Sequence, residues 1–282
     1  MTQGSNTQPD ETNRDTEGSY VSVNGLNMYY EIHGAEHTGQ PLVLLHGAFS
    51  AIGTSFGALL PGLAKTRQVI AFEMQGHGRT ADIDRPLSIE QMADDTAAAL
   101  HQLGIEQADI FGYSMGAAVA LQVGIRHPQV VRKLVLASVT YNLGGVHPGL
   151  MEGFEEMQPE MMFGSPWHEE YLRIAPDPDH FGILFAKKTE MDRGIKDVPA
   201  ETIAALKSPT LIVIGDSDLV RPEHAVEMFR LLGGGVFGDL AGLPESQLAI
   251  LPGTTHVSIV NRAEWLVSMV GEFLDAPAPD AH

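Results

Sequence analysis

The residues best placed to do chemistry are Gly112-Tyr113-Ser114-Met115-Gly116, between the apolar run ADIF and the helix-forming stretch AAVALQVG. A serine between two glycines at such a junction sits on a turn too tight for side chains at the flanking positions. The start of the following helix also offers N–H groups and a dipole that favour developing negative charge. A serine hydroxyl is a weak nucleophile at neutral pH. It requires a base, and the base requires an acid that orients it. Two residues in the order expected for this elbow follow predicted strands: Asp218 after LIVIG and His256 after LAIL. Asp216 competes with Asp218 as the acid, and Asp218 has the better position, three residues past Gly215. The chain holds twelve histidines, but only His256 lies between the last predicted strand and the last predicted helix. A neutral imidazole base predicts activity that rises with pH around ~6.5, where an ordinary histidine titrates.

A nucleophile attacking a carbonyl leaves negative charge on oxygen, which two main-chain N–H groups can hold. One is predicted at Met115, directly after the serine. The other is expected in His46-Gly47-Ala48-Phe49, after the run PLVLL, at Ala48 or alternatively at Phe49. His46 itself reads as a structural residue beneath that loop.

Positioning these loops requires a sheet. YVSVNG and NMYYEIHG alternate apolar and polar residues, which predicts an antiparallel hairpin turning at Asn24-Gly25. PLVLLHG, RQVIAFE, ADIFGYS, KLVLASV, PTLIVIGD and SQLAILPG are continuous apolar runs, as in parallel strands covered on both faces. SIEQMADDTAAALHQLG, MGAAVALQVGIRHP, PEHAVEMFRLLG and AEWLVSMVGEFL carry helical spacing, the first with Ser88 and Gln91 as a capping pair. Alternation of this kind predicts an α/β fold. About 70 residues separate Val139 from Pro209, far more than one crossover needs, so 141–205 reads as an insertion with short helical patches. The core is then 19–140 with 206–275. The polar stretches 1–18 and 276–282 read as disordered tails, and Gly233–Pro244 as a surface loop without an assigned role.

Composition narrows the partners. The 17 Lys and Arg residues face 36 Asp and Glu residues, a net charge of −19. That balance disfavours nucleic acid and anionic lipid surfaces. Cysteine is absent, which excludes disulfides, thiol catalysis and cysteine-bound metal. No spacing suggests a metal or cofactor site, and none is expected. No run approaches the roughly 18 apolar residues of a membrane span. The N-terminus has no signal-peptide pattern, so the cytoplasm is the expected location, with a homodimer left open.

LLHGAFS, EMQGHGRT, GYSMGAAVA, GDSD and GTTHVS, in this order, resemble the α/β-hydrolase superfamily over about residues 19–275. The short oxyanion loop and the insertion are similar to its esterase, haloperoxidase-like and C–C-hydrolase branch. The resemblance implies a mostly parallel eight-stranded sheet flanked by helices. It also implies Ser114 as nucleophile, Asp218 as acid, His256 as base and 141–205 as a helical cap. Gly76-His77-Gly78 matches a structural turn of the family, although Glu73 and Thr80 stand where the family usually has Asp and Ser. Serine at the elbow argues against the branches that use aspartate there.

The expected reaction is ester hydrolysis through an acyl-enzyme. A C–C or lactone hydrolase with the same three residues is the alternative, and a receptor of the same fold a more distant one. Phe49, Met115, Met151, Phe154, Met157, Met161, Met162, Phe163 and Trp167 are candidates for an apolar pocket. Of these, Phe49, Met151, Phe154, Met161 and Trp167 are taken as substrate-binding. The basic cluster Lys187, Lys188, Arg193 and Lys196 reads as a solvated helix face or as a grip on a carboxylate.

Overall fold

The computed structural model of the chain describes residues 18–277. All eight expected strands form: β1 (Ser19–Val23), β2 (Leu26–His33), β3 (Leu42–Leu45), β4 (Val69–Phe72), β5 (Ala108–Tyr113), β6 (Val131–Ala137), β7 (Thr210–Ser217) and β8 (Gln247–Thr255). They make one sheet in the order β1-β2-β4-β3-β5-β6-β7-β8. β1 and β2 pair antiparallel through Asn24 (φ 48°) and Gly25 (φ 83°), and β2 pairs antiparallel with β4. From β4 to β8 every pairing is parallel. The continuous apolar runs are explained by burial on both faces: Leu42 and Leu44 join one core cluster, Val43 and Leu45 the other.

The helices are α1 (Ile52–Phe56), α2 (Leu60–Leu63), α3 (Ile89–Gln102), α4 (Met115–Arg126), α5 (Leu150–Glu156), α6 (Pro166–Ile174), α7 (Phe181–Arg193), α8 (Ala200–Ala204), α9 (Pro222–Leu231), α10 (Gly238–Ala241) and α11 (Ala263–Asp275). α3, α4 and α9 cover one face of the sheet, while α1, α2 and α11 cover the other. Ser88 caps α3 by accepting the Gln91 N–H, but the Gln91 side chain turns to Asp95 instead of completing a capping box. α1 and α2, of five and four residues, are too short to show a helical period in sequence.

Strand order places the site. The chain leaves β3 toward β4 and leaves β5 toward β6, so the connections diverge between β3 and β5. Crevices form beyond the C-terminal strand ends at such a point, and here they hold the loop after Leu45 and the turn after Tyr113. The insertion between β6 and β7 carries α5 to α8. Its base is tied to the loop after β7, where Arg221 N–H donates to Gly145 O at 2.8 Å and Val146 bridges Val220. α8 packs beside α9 with Ile203 fully buried, so the end of this segment belongs by packing to the sheet body. The Gly233–Pro244 stretch lies on the surface and includes α10, with Leu240 and Leu243 more than four-fifths exposed. The expected tails fall outside the described residues except for Gly18, Ala276 and Pro277. No helix among the described residues is long and apolar enough to cross a membrane, and no His/Asp/Glu group among them is arranged to hold a metal.

Candidate active site

Ser114 adopts φ 54°, a conformation side-chain-bearing residues rarely take. Its neighbours show why both flanking residues are glycine. A Cβ on Gly112 would strike the Gly116 carbonyl, and one on Gly116 would strike the carbonyls of Leu45, at the end of β3, and of His46. The turn is held by Ser114 N–H donating to Ala137 O on β6 at 2.9 Å, and it presents the hydroxyl at the N-terminus of α4.

That hydroxyl lies 2.9 Å from His256 Nε2, and His256 Nδ1 lies 2.8 Å from Asp218 Oδ1. A carboxylate only accepts, so Nδ1 carries the proton and Nε2 is left to accept from the serine. Tyr113 braces the histidine: its hydroxyl donates to the His256 carbonyl at 2.9 Å and its ring lies 5.5 Å from the imidazole. Asp218 also accepts from Val220 N–H, Gly215 N–H and the Ser138 hydroxyl. Burial pushes its carboxyl up, but the hydrogen bond and charge of His256, with those other donors, outweigh it and hold it below the ordinary carboxylate range. Asp216 is exposed, and its carboxylate accepts instead from Gly253 N–H (2.9 Å) and Thr254 N–H (3.2 Å) at the end of β8, just before His256.

The loop after β3 is rigid. His46 is fully buried; it donates from Nδ1 to Gly47 O and accepts Met74 N–H at Nε2. Burial pulls its pKa down to about 4. Ser50 and Ser55 bind the Gly47 carbonyl and N–H respectively. Ala48 and Met115 line the same cavity as Ser114, and neither N–H has an acceptor among the described residues. Phe49 has φ 58° and turns away, stacking on Phe185 (5.5 Å) of α7. His77 lies beneath His46, their rings 5.1 Å apart, with its pKa drawn down to about 3 by burial. Glu73 is also fully buried and accepts from Arg79 and from Ile52 N–H at the start of α1. Burial pushes its pKa up to about 7.

A cavity of about 650 Å³ opens over Ser114 and His256, between the strand ends and the insertion. Met151 and Phe154 lie on its wall as expected from sequence. Phe49, Met161 and Trp167 do not: Phe49 is half-buried against α7, Met161 is 69% exposed on a short turn, and Trp167 is half-buried in α6. The cavity also carries four cations, and three are ion-paired: Arg85 with Asp95, Lys187 with Asp82 and Lys188 with Asp192. Lys196 alone of the four has no ion-pair partner among the described residues. Arg193 of the basic cluster pairs with Glu190. The pairings of Lys187 and the contact of Ser138 with Asp218 join residues far apart in sequence, and composition carries no signal for either.

The alpha/beta hydrolase fold family matches residues 40–194, more than half of the chain, and the protein belongs to this family. It is 27% identical over 266 residues to a 2-hydroxymuconate semialdehyde hydrolase of Pseudomonas sp. strain CF600, covering 84% of this chain and 87% of that one. It is 27% identical over 256 residues to a pimeloyl-[acyl-carrier protein] methyl ester esterase of Neisseria meningitidis, covering 82% and 92%. Among solved structures, it resembles a meta-cleavage product hydrolase from Pseudomonas fluorescens with a TM-score of 0.70 and 20% identity, covering 92% and 97%.

Proposed function

We propose that this hydrolase cleaves uncharged carboxylic esters through an acyl-enzyme formed on Ser114. The observation that carries the reading is the unbroken hydrogen-bond chain Ser114–His256–Asp218, facing the cavity. Ser114 Oγ attacks the ester carbonyl as His256 Nε2 takes its proton, while Asp218 stabilises the imidazolium. The N–H groups of Ala48 and Met115 receive the oxyanion. Collapse of the intermediate breaks the C–O bond, and His256 returns the proton to the departing alcohol. Water, deprotonated by His256, then attacks the acyl-enzyme and releases the acid. The insertion acts as a cap whose Met151 and Phe154 bound an apolar pocket, methionine adapting to varied shapes.

Relatives named as a 2-hydroxymuconate semialdehyde hydrolase, a methyl ester esterase and putative carbamate hydrolases leave more than one reaction for the same three residues. C–C hydrolysis is the main alternative to the ester. The pairing of three of the four cavity cations favours the ester. A dienol-acid substrate brings a carboxylate, Arg85, Lys187 and Lys188 already neutralise protein carboxylates, and among the described residues only Lys196 of the four is left to meet one. The test is hydrolysis of p-nitrophenyl esters, acetate to decanoate, by the wild type and Ser114→Ala. Turnover lost in the variant supports the ester reading. A folded wild type that spares every ester and cleaves a dienol acid overturns it in favour of C–C hydrolysis.

A further inference from the structure

Ser138 stands directly after β6, one residue past Ala137, and its backbone is strained. Its φ is 59°, a region in which glycine is at ease and a residue with a Cβ is not. The side chain is nearly fully buried, and the residue is pinned by its N–H donating to Val213 O at 2.8 Å. Glycine would relieve the conformation and leave the ladder bond in place, so relief of strain does not select serine here. Its hydroxyl does have a partner: Ser138 Oγ donates to Asp218 Oδ2 at 2.5 Å.

The accounting at Asp218 shows what this bond adds. Oδ1 receives His256 Nδ1–H and Val220 N–H (3.3 Å), and Oδ2 receives Ser138 and Gly215 N–H (3.2 Å). Of the two main-chain donors, Val220 N–H lies in Asp218's own loop and Gly215 N–H near the end of β7, the strand that carries that loop. Ser138, directly after β6, ties Oδ2 to the neighbouring strand. Charge-assisted O–H bonds of this length are among the stronger ones. With Oδ2 fixed from the β6 side, rotation of the carboxylate is stopped and Oδ1 is aimed at His256.

The geometry points to Ser138 as a positioning residue that locks the Asp218 carboxylate in the orientation which holds His256 toward Ser114. The inference rests on the proposed roles of Ser114, His256 and Asp218. The titratable groups facing Asp218 are His256 and Tyr113, and burial pushes the Tyr113 hydroxyl up, so it stays protonated through the neutral range.

The test measures kcat and KM for a p-nitrophenyl ester between about pH 5 and 9 in the wild type, Ser138→Ala, Ser138→Gly and Ser114→Ala, with a thermal melt for each. In both Ser138 variants kcat should fall about tenfold, the effect of losing about 1.4 kcal/mol of transition-state stabilisation, with KM within about twofold. The acid limb of the profile should move to higher pH, because a carboxylate with one donor fewer holds the imidazolium proton more tightly. Ser138→Gly also removes the strain and should melt no lower than Ser138→Ala, so a loss shared by both belongs to the hydroxyl and not to stability. A folded Ser138→Gly with wild-type kcat and an unmoved acid limb overturns the inference and leaves Ser138 a packing residue. Ser114→Ala with undiminished turnover would instead overturn the proposed function itself.

Discussion

The two walls of the cavity are built by opposite means. On the sheet side, two residues with side chains, Ser114 and Ser138, hold positive φ directly after β5 and β6. Each sits among groups that are buried and hydrogen-bonded, and a braced setting of that kind sustains strain. The insertion side carries half-buried or exposed apolar residues, such as Met151 and Phe154 of the seven-residue α5, beside the ion-paired lysines of α7. One wall fixes atoms to within a hydrogen bond, and the other offers pliable apolar surface. Under the proposed function, reaction chemistry falls to the sheet side and substrate preference to the insertion, and substitutions on the two sides should have effects of different kinds.

The largest expected effect is on the sheet side. Ser114→Ala should lower ester turnover by about 10⁴-fold or more with an unchanged melt; assays of purified wild type and variant against the same esters check it. Next comes a contrast between two carboxylates two positions apart. Asp218→Asn should cost about 10⁴-fold in kcat, since the amide favours the wrong imidazole tautomer. Asp216→Asn, which changes only an exposed acceptor of N–H groups at the end of β8, should cost less than about tenfold. Equal losses in the two would reverse their assignment.

The bracing beneath the sheet-side wall predicts a pH dependence of stability. His46 and His77 have folded-state pKa values near 4 and 3, below the ordinary imidazole value of ~6.5. The unfolded chain therefore binds protons first as pH falls below ~6.5, and stability drops. Glu73, raised to about 7, works in the opposite sense: its contribution is complete below ~4.5 and is lost as pH rises through 7. The net loss from pH 7 to 5 should be about 1–2 kcal/mol, growing to about 3–4 in Glu73→Gln, where the opposing contribution is gone. Urea midpoints at the two pH values measure it, and a shallower slope in Glu73→Gln would contradict the assignment.

At the insertion the expected effects are on substrate preference. Met151→Ala or Phe154→Ala should lower kcat/KM for the preferred ester by about tenfold and move the optimum to longer acyl chains, with kcat for small esters little changed. Met161→Ala, on an exposed turn off the cavity, should leave the chain-length profile as it is. A matching change in Met161→Ala would extend the substrate surface beyond the cavity.

Much of this was legible in order along the chain. The elbow glycines, Ser114, Asp218 and His256 each adjoin a long apolar run, so strand ends could be located and the loops after them read. The wall of the insertion was legible only by composition. Met151, Phe154, Met161 and Trp167 look alike as apolar residues in a Met-rich segment, yet two line the cavity and two do not. Helices of a few residues carry no period that distinguishes inward from outward positions, so packing alone chooses.

What the sequence determined by itself was local: eight strands, the principal helices, the Asn24-Gly25 turn, and a serine that only glycine neighbours permit. Each follows from backbone sterics or from apolar periodicity over a few residues. Strand order, the burial of His77 beneath His46, the pairing of Lys187 with Asp82 and the contact of Ser138 with Asp218 came only with tertiary structure. Those partners are brought together by the sheet across as many as 105 positions, and no local pattern records a contact that chain closure makes.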